Sequence, residues 1–188
     1  MKDTFIIVGL GNVGENYQRT RHNIGFVILD LLAQRLNMNS FKLKHKACVS
    51  EQIVNNQKLI LAKPQTYMNL SGDSVKELIG YYKIDLKNLI IIYDDIDLPF
   101  GSFKIKPSGG AGTHNGMRSI VNSLMSTSFS RIRIGIGMPI NKHDLSNFVL
   151  SNFTSGELEI LKTLNDKIVD ALIDILSQGI NFSMNKYN

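Results

Sequence analysis

Cysteine occurs only once, at Cys48, so no disulfide can form within this chain and a reducing, cytoplasmic setting is expected. Between Ala47 and Val49 in a strand-like stretch, Cys48 reads as a small apolar residue. Tryptophan is absent, proline occurs four times, and no Pro-rich linker, repeat or low-complexity block divides the chain. No apolar run approaches the ~18 residues of a membrane span. One Lys followed at once by an acidic residue, with the apolar run ending at Gly9, does not make a secretory leader. What is present is a 188-residue chain of 43% hydrophobic content, enough for one domain that buries about 70% of its unfolded surface. The formal net charge is +5, which favours a polyanionic partner.

Hydrophobic periodicity alternates between strands and helices. Phe5 to Val8 and Leu89 to Tyr93 read as buried strands, the second in the middle of a sheet. Two β-rich runs near residues 41–50 and 57–62, joined around Asn55-Asn56, read as a hairpin. Phe103 to Lys106 and Arg131 to Gly137 are further strands, the last continued by Met138-Pro139-Ile140. Helices are expected over about 23–36, from Ser71, and over about 116–125. A long C-terminal helix carries Leu158, Leu161, Leu164, Ile168, Leu172, Ile175 and Leu176 as a core stripe, and 181–188 reads as a polar tail. The pattern predicts an α/β fold: a single domain, residues 1–188, with a mixed twisted β-sheet sandwiched between helices. Lys42, Lys44 and Lys46, and separately Lys104 and Lys106, alternate with apolar residues and share strand faces.

After the first strand comes Gly9-Leu10-Gly11-Asn12-Val13-Gly14, which imitates the dinucleotide fingerprint. The continuation contradicts it. Eight polar or aromatic residues, Glu15 to His22, separate the glycines from the next helical stripe, and Asp30 falls inside that stripe rather than closing a second strand. A nicotinamide or flavin enzyme is therefore disfavoured. The loop instead delivers an amide and an imidazole, a pairing suited to acyl chemistry: a His serves as general base, and an Asn holds a carbonyl or a water.

Four segments place polar residues where an apolar strand ends or a helix begins. They are the Asn12 to His22 loop, Lys63 to Gly72, Asp94 to Pro99, and the Gly-rich stretch Lys106 to Gly116. Taken singly, each has a plainer reading. Asp94, Asp95 and Asp97 resemble a divalent-metal cluster but equally form turns and caps; His22 could cap a helix, and His114-Asn115 could be loop structure. Gly109-Gly110-Ala111-Gly112 lacks the Gly-Lys-Ser/Thr ending of a nucleotide-binding P-loop. Met68 and Tyr67 would ordinarily be core.

Their order along the chain resembles the bacterial-type peptidyl-tRNA hydrolase family up to about Phe153. The matching motifs are IVGLGN with Gly14 and Tyr17, TRHNIGF, KPQTYMNLSG, DDIDLPFG, HNGMRSI and RIRIGIG. The resemblance implies a metal-free, cofactor-free cytoplasmic monomer that cleaves the ester joining a peptide to the 3′ end of tRNA, recycling tRNA released from stalled ribosomes. It implies His22 as the base with Asp95 as its partner. Asn12, Asn69 and Asn115 become substrate- and water-positioning amides, Tyr67, Met68 and His114 line the substrate cleft, and Tyr17 lies near the tRNA 3′ end. Lys106 and Arg133 match the positions that clamp the tRNA 5′ phosphate. Val13 replaces the usual Pro and Thr113 the usual Gly, which bears on the loop geometry at Asn12 and at His114.

Overall fold

The computed structural model describes residues 3–139 and 141–188; Met1, Lys2 and Ile140 lie outside the described residues, and with them part of the leader and last-strand readings. Seven strands form one mixed sheet: β1 (Thr4–Gly9), β2 (Lys42–Lys44), β3 (Ala47–Val54), β4 (Gln57–Pro64), β5 (Leu89–Asp95), β6 (Phe103–Lys106) and β7 (Ser130–Gly135). Their spatial order is β2-β3-β4-β1-β5-β7-β6. The central four, β4, β1, β5 and β7, are parallel, and antiparallel strands flank them on both sides. The helices are α1 (Ile24–Arg35), α2 (Ser71–Tyr82), α3 (Asn115–Leu124), α4 (Leu145–Val149), α5 (Ser155–Gln178) and α6 (Ile180–Tyr187).

Strand parity divides the core in two. Ile90 and Ile92 of β5 pack with α1 and α5 through Ile24, Ile28, Leu164 and Ile168. Leu89, Ile91 and Tyr93 pack on the opposite face against Val75 and Leu78 of α2 and Met117 and Ile120 of α3. Because β1 lies between β4 and β5, its two neighbours are reached by chain passing over opposite faces, and the C-terminal ends of β1 and β5 face a crevice. Open α/β sheets bind ligands at such switch points. No helix among the described residues is long and apolar enough to cross a membrane.

Several boundaries differ from the periodicity. The run 41–50 is two strands, split at His45 and Lys46, both with positive φ, in a tight turn. β7 ends at Gly135, and Gly137 at φ +74 turns the chain away, so Met138 and Pro139 do not extend the strand. The supposed polar tail is α6: Ile180, Met184 and Tyr187 fall on one side at helical spacing and pack on the core, and the buried Ser183 hydroxyl donates to the Ala171 carbonyl (3.0 Å). Leu158, placed in the core stripe, is 54% exposed, and the buried stripe of α5 begins at Leu161.

Close approach of α1 to the sheet sets the position of everything that precedes it, including His22. A Cβ on Gly25 would lie 2.5 Å from both the Ile92 carbonyl oxygen and the Leu10 nitrogen. On Gly9 it would lie 2.2 Å from the Gly25 carbonyl oxygen. Gly25→Ala should therefore cost about 1 to 3 kcal/mol of stability in denaturant titration. Gly80→Ala, on the exposed face of α2 with nothing within 4 Å, should instead gain up to about 1 kcal/mol. Equal effects of the two substitutions would contradict this account of the α1 contact.

Candidate active site

The loop after β1 is stapled by two amides. The Asn12 N–H donates to the Asn23 side-chain oxygen (2.9 Å), the Asn23 amide donates back to the Asn12 carbonyl (2.9 Å), and the Asn12 Oδ1 accepts from the Met68 N–H (2.9 Å). The Asn12 Oδ1 is thus committed to Met68, and its amide nitrogen remains for a ligand. Asn23, which precedes α1, was not singled out by the sequence pattern. Its reciprocal bonds with Asn12 fix the loop that carries Val13.

His22 sits in a short 3-10 turn, Arg21–Asn23, leading into α1. Its Nδ1 lies 2.9 Å from both carboxylate oxygens of Asp94. The partner is Asp94, not Asp95. Successive residues of a strand face opposite sides, so Asp94 shares the α1 face with Ile90 and Ile92, while Asp95 points to the other. The Asp95 carboxylate instead accepts from Arg133 Nε (2.6 Å) and from the Asp97 N–H (2.9 Å), closing the turn after β5. That ion pair holds the Arg133 guanidinium even more firmly protonated than usual.

A second imidazole reaches the same carboxylate. His114 caps α3, its Nδ1 accepting from the Met117 N–H (3.2 Å), and its Nε2 donates to Asp94 Oδ1 (3.0 Å). The partners define the tautomers: His114 carries its proton on Nε2, and His22 on Nδ1, leaving the His22 Nε2 lone pair for the cleft. His114 lines the cleft as expected, with both ring nitrogens engaged within the protein. Burial opposes the charge on Asp94, but the two imidazoles outweigh it and hold the carboxyl well below the ordinary range. His22, Asp94 and His114 also form a possible metal-ligand trio. The 2.9 to 3.0 Å separations are those of hydrogen bonds, shorter than the ~3.3 Å between two ligands of a tetrahedral zinc.

Above this network lies a cleft of about 1060 Å³. Asn12, His22, Tyr67, Met68, Asn69 and Asn115 line it, as do Lys106 and Arg133. Met68 is buried beneath Gly116, whose Cβ would lie 2.6 Å from the Met68 sulfur, whereas Tyr67 is 58% exposed. Tyr17 does not line the cleft; its carbonyl accepts the Thr20 N–H (3.0 Å) and hydroxyl (2.8 Å), which closes the turn before His22. Thr113 is accommodated without a left-handed backbone, because that conformation falls on the neighbouring Gly112 (φ +57). β6 and β7 pair Lys104 with Arg133 and Lys106 with Arg131, so all four cations share one face. Arg131 is buried and spent on the Gly110 (2.8 Å) and Thr127 (3.1 Å) carbonyls, supporting the Gly-rich loop.

An imidazole oriented by a buried carboxylate, with its free nitrogen in a cleft lined by amides, equips an α/β hydrolase. The family model described as "Peptidyl-tRNA hydrolase" matches residues 6–188. The peptidyl-tRNA hydrolase of Alkaliphilus metalliredigens is 52% identical over 184 residues, covering 98% of this chain and 99% of that protein. That of Chloroflexus aggregans is 48% identical over 185 residues, covering 98% of each. The crystal structure of the Acinetobacter baumannii peptidyl-tRNA hydrolase superposes with a TM-score of 0.92 at 33% identity, covering 98% of this chain and 94% of that one. The chain belongs to the peptidyl-tRNA hydrolase family.

The depressed Asp94 pKa has a stability consequence. Its native value lies below the unfolded value of about 3.9, so the carboxylate contributes stability that is complete above about pH 4 and disappears as pH falls through the native value. Asp94→Asn should therefore destabilise the protein at neutral pH, and the gap to wild type should narrow in acid. A gap that stays constant from about pH 7 down to about pH 2 in thermal melts would contradict the pairing.

Proposed function

We propose that the chain hydrolyses the ester between a peptide and the 3′-terminal ribose of tRNA, with His22 Nε2 as the base that activates water and Asp94 as the group that orients and stabilises the imidazole. The observation that carries this reading is the tautomer pattern around Asp94, which leaves one imidazole lone pair, that of His22 Nε2, free in the cleft. As His22 takes a proton from water, the imidazolium forms against an anionic carboxylate, which lowers the barrier. Ribose is a better leaving group than an amine, so an activated water and amide donors suffice.

Asn12, Asn69 and Asn115 hold the acylated backbone and the developing oxyanion. Uncharged amides both donate and accept, so they grip the peptide backbone without reading its side chains. Met68 and Tyr67 pack against the substrate. Lys106 and Arg133 take the 5′ phosphate: Lys106 has no ion pair among the described residues, and the bond from Arg133 to Asp95 uses only Nε, leaving its Nη donors for an anion. The chain acts in this reading as a monomer in the cytoplasm, and the lone cysteine, which leaves no intrachain disulfide, supports the cytoplasmic setting.

His22→Ala should lower turnover on peptidyl-tRNA by about 10²- to 10⁴-fold and leave tRNA affinity largely intact. Asp94→Asn should cost about 10- to 10³-fold in turnover, and Asp95→Asn distinctly less, its main effect being on KM through Arg133. A larger loss of turnover for Asp95→Asn than for Asp94→Asn would overturn the assignment. Lys106→Ala should raise KM and flatten its salt dependence, with turnover at saturation little changed; an unaltered salt slope would rule Lys106 out as the phosphate contact.

A further inference from the structure

The residue before His22 carries an unusual set of contacts for an arginine in a catalytic loop. Arg21 is 6% exposed. Its guanidinium makes a bidentate pair with Glu157, Nη1 to Oε1 at 2.8 Å and Nη2 to Oε2 at 3.0 Å, and lies 4.6 and 4.9 Å from the Phe148 and Phe153 ring centroids. Its Nε donates to the Ser151 hydroxyl (3.2 Å) and its backbone N–H to the Ser151 carbonyl (3.0 Å). Thr20 forms an isolated antiparallel bridge with Asn152. All of these partners fall within residues 148–157.

That segment begins in α4, which forms one wall of the cleft through Leu145, Ser146 and Val149, with Leu150 immediately after it. α4 is five residues long and buries none of them. A helix this short has no stability of its own, so its position depends on what holds its ends. At its C-terminal side the hold is Arg21. Glu157, in turn, belongs to the capping box of α5, with Oε2 accepting from the Thr154 N–H (2.7 Å), and α5 is anchored in the core by Leu161, Leu164 and Ile168. The path from core helix to catalytic turn therefore runs α5, Glu157, Arg21, His22, and the α4 wall hangs on the same arginine.

We propose that Arg21 is a positioning residue that, through Glu157 and residues 148–153, locks the α4 wall of the cleft to the turn carrying His22, so that substrate seating and base orientation are set together. The inference rests on His22 being the base, but its structural half does not. Arg serves where Lys would not, because only a planar fork can hold the carboxylate bidentately, present Nε to Ser151 and lie among two aromatic rings at once.

Glu157→Gln is the cleanest test, since glutamine keeps the capping box while removing the charge that the guanidinium grips. Hydrogen exchange of amides 145–153 should accelerate in this variant, with KM for peptidyl-tRNA raised about tenfold and turnover reduced less. Arg21→Gln should lower kcat/KM by about 10- to 100-fold, and Arg21→Lys should recover part of it. The double variant Arg21→Gln/Glu157→Gln should be no worse than Arg21→Gln alone, because the two act as one unit. Unchanged exchange in 145–153, or a lowered melting temperature with wild-type kinetic constants measured well below it, would reduce the tie to a plain structural staple and overturn the proposal. His22→Ala separates the two ideas: its turnover tests the base, while its exchange in 145–153 should match wild type.

Discussion

The site depends on one buried carboxylate. Asp94 lies at the end of a strand whose residues are all buried, and it is ionised there only because two imidazoles donate to it. In a low-dielectric setting an unpaired carboxylate would take up a proton, and the His22 imidazole would then be free to choose its tautomer. The charge of Asp94 thus does two things. It fixes which nitrogen of His22 is basic, and it ties the turn before α1 on one face of the sheet to the start of α3 on the other. His114 completes this arrangement as a helix cap that can donate only from Nε2.

Around that carboxylate the fold supplies position rather than further charge. Gly9 and Gly25 let α1 approach β1 and β5 closely enough to bring His22 over the strand end. Asn23 fixes Asn12, and Asn12 fixes the backbone of Met68, so the β1–α1 and β4–α2 connections are joined by neutral hydrogen bonds. Asp95 faces the other way and orders Arg133. Two adjacent acids therefore serve two functions because β-strand parity sends them to opposite sides.

Much of the architecture was legible in the sequence, because β1, β5, α1, α2 and α3 carry strong periodicities and clear boundaries. The ordered motifs also brought together His22, Asn12, Met68, Asn69 and Asn115, which share one cleft. The partner of His22 was not legible from the motif, since Asp94 and Asp95 are adjacent and chemically identical. The signal was nonetheless available: Asp94 is in phase with Ile90 and Ile92, and those residues face the helix that follows His22. Tyr17 and His114 illustrate a second limit. Both are polar residues in motif loops, and only coordinates reveal that one contributes its carbonyl to a turn and the other spends both nitrogens internally. The helical end of the chain was hidden by its polar residues, of which Asn181, Asn185 and Lys186 fall on the solvent side of an amphipathic turn pattern while Ser183 is buried.

The central claim, that Asp94 orients His22 so that Nε2 alone is basic in the cleft, is tested most directly by nitrogen NMR of histidine-labelled protein at about pH 8, where ordinary imidazoles are neutral. The account predicts a protonated Nδ1 on His22, lost to a tautomer mixture in Asp94→Asn and retained in Asp95→Asn, and a protonated Nε2 on His114 in all three proteins, because the Met117 N–H occupies its Nδ1. A His22 protonated on Nε2 in the wild-type protein, or a tautomer pattern altered by Asp95→Asn and not by Asp94→Asn, would contradict it.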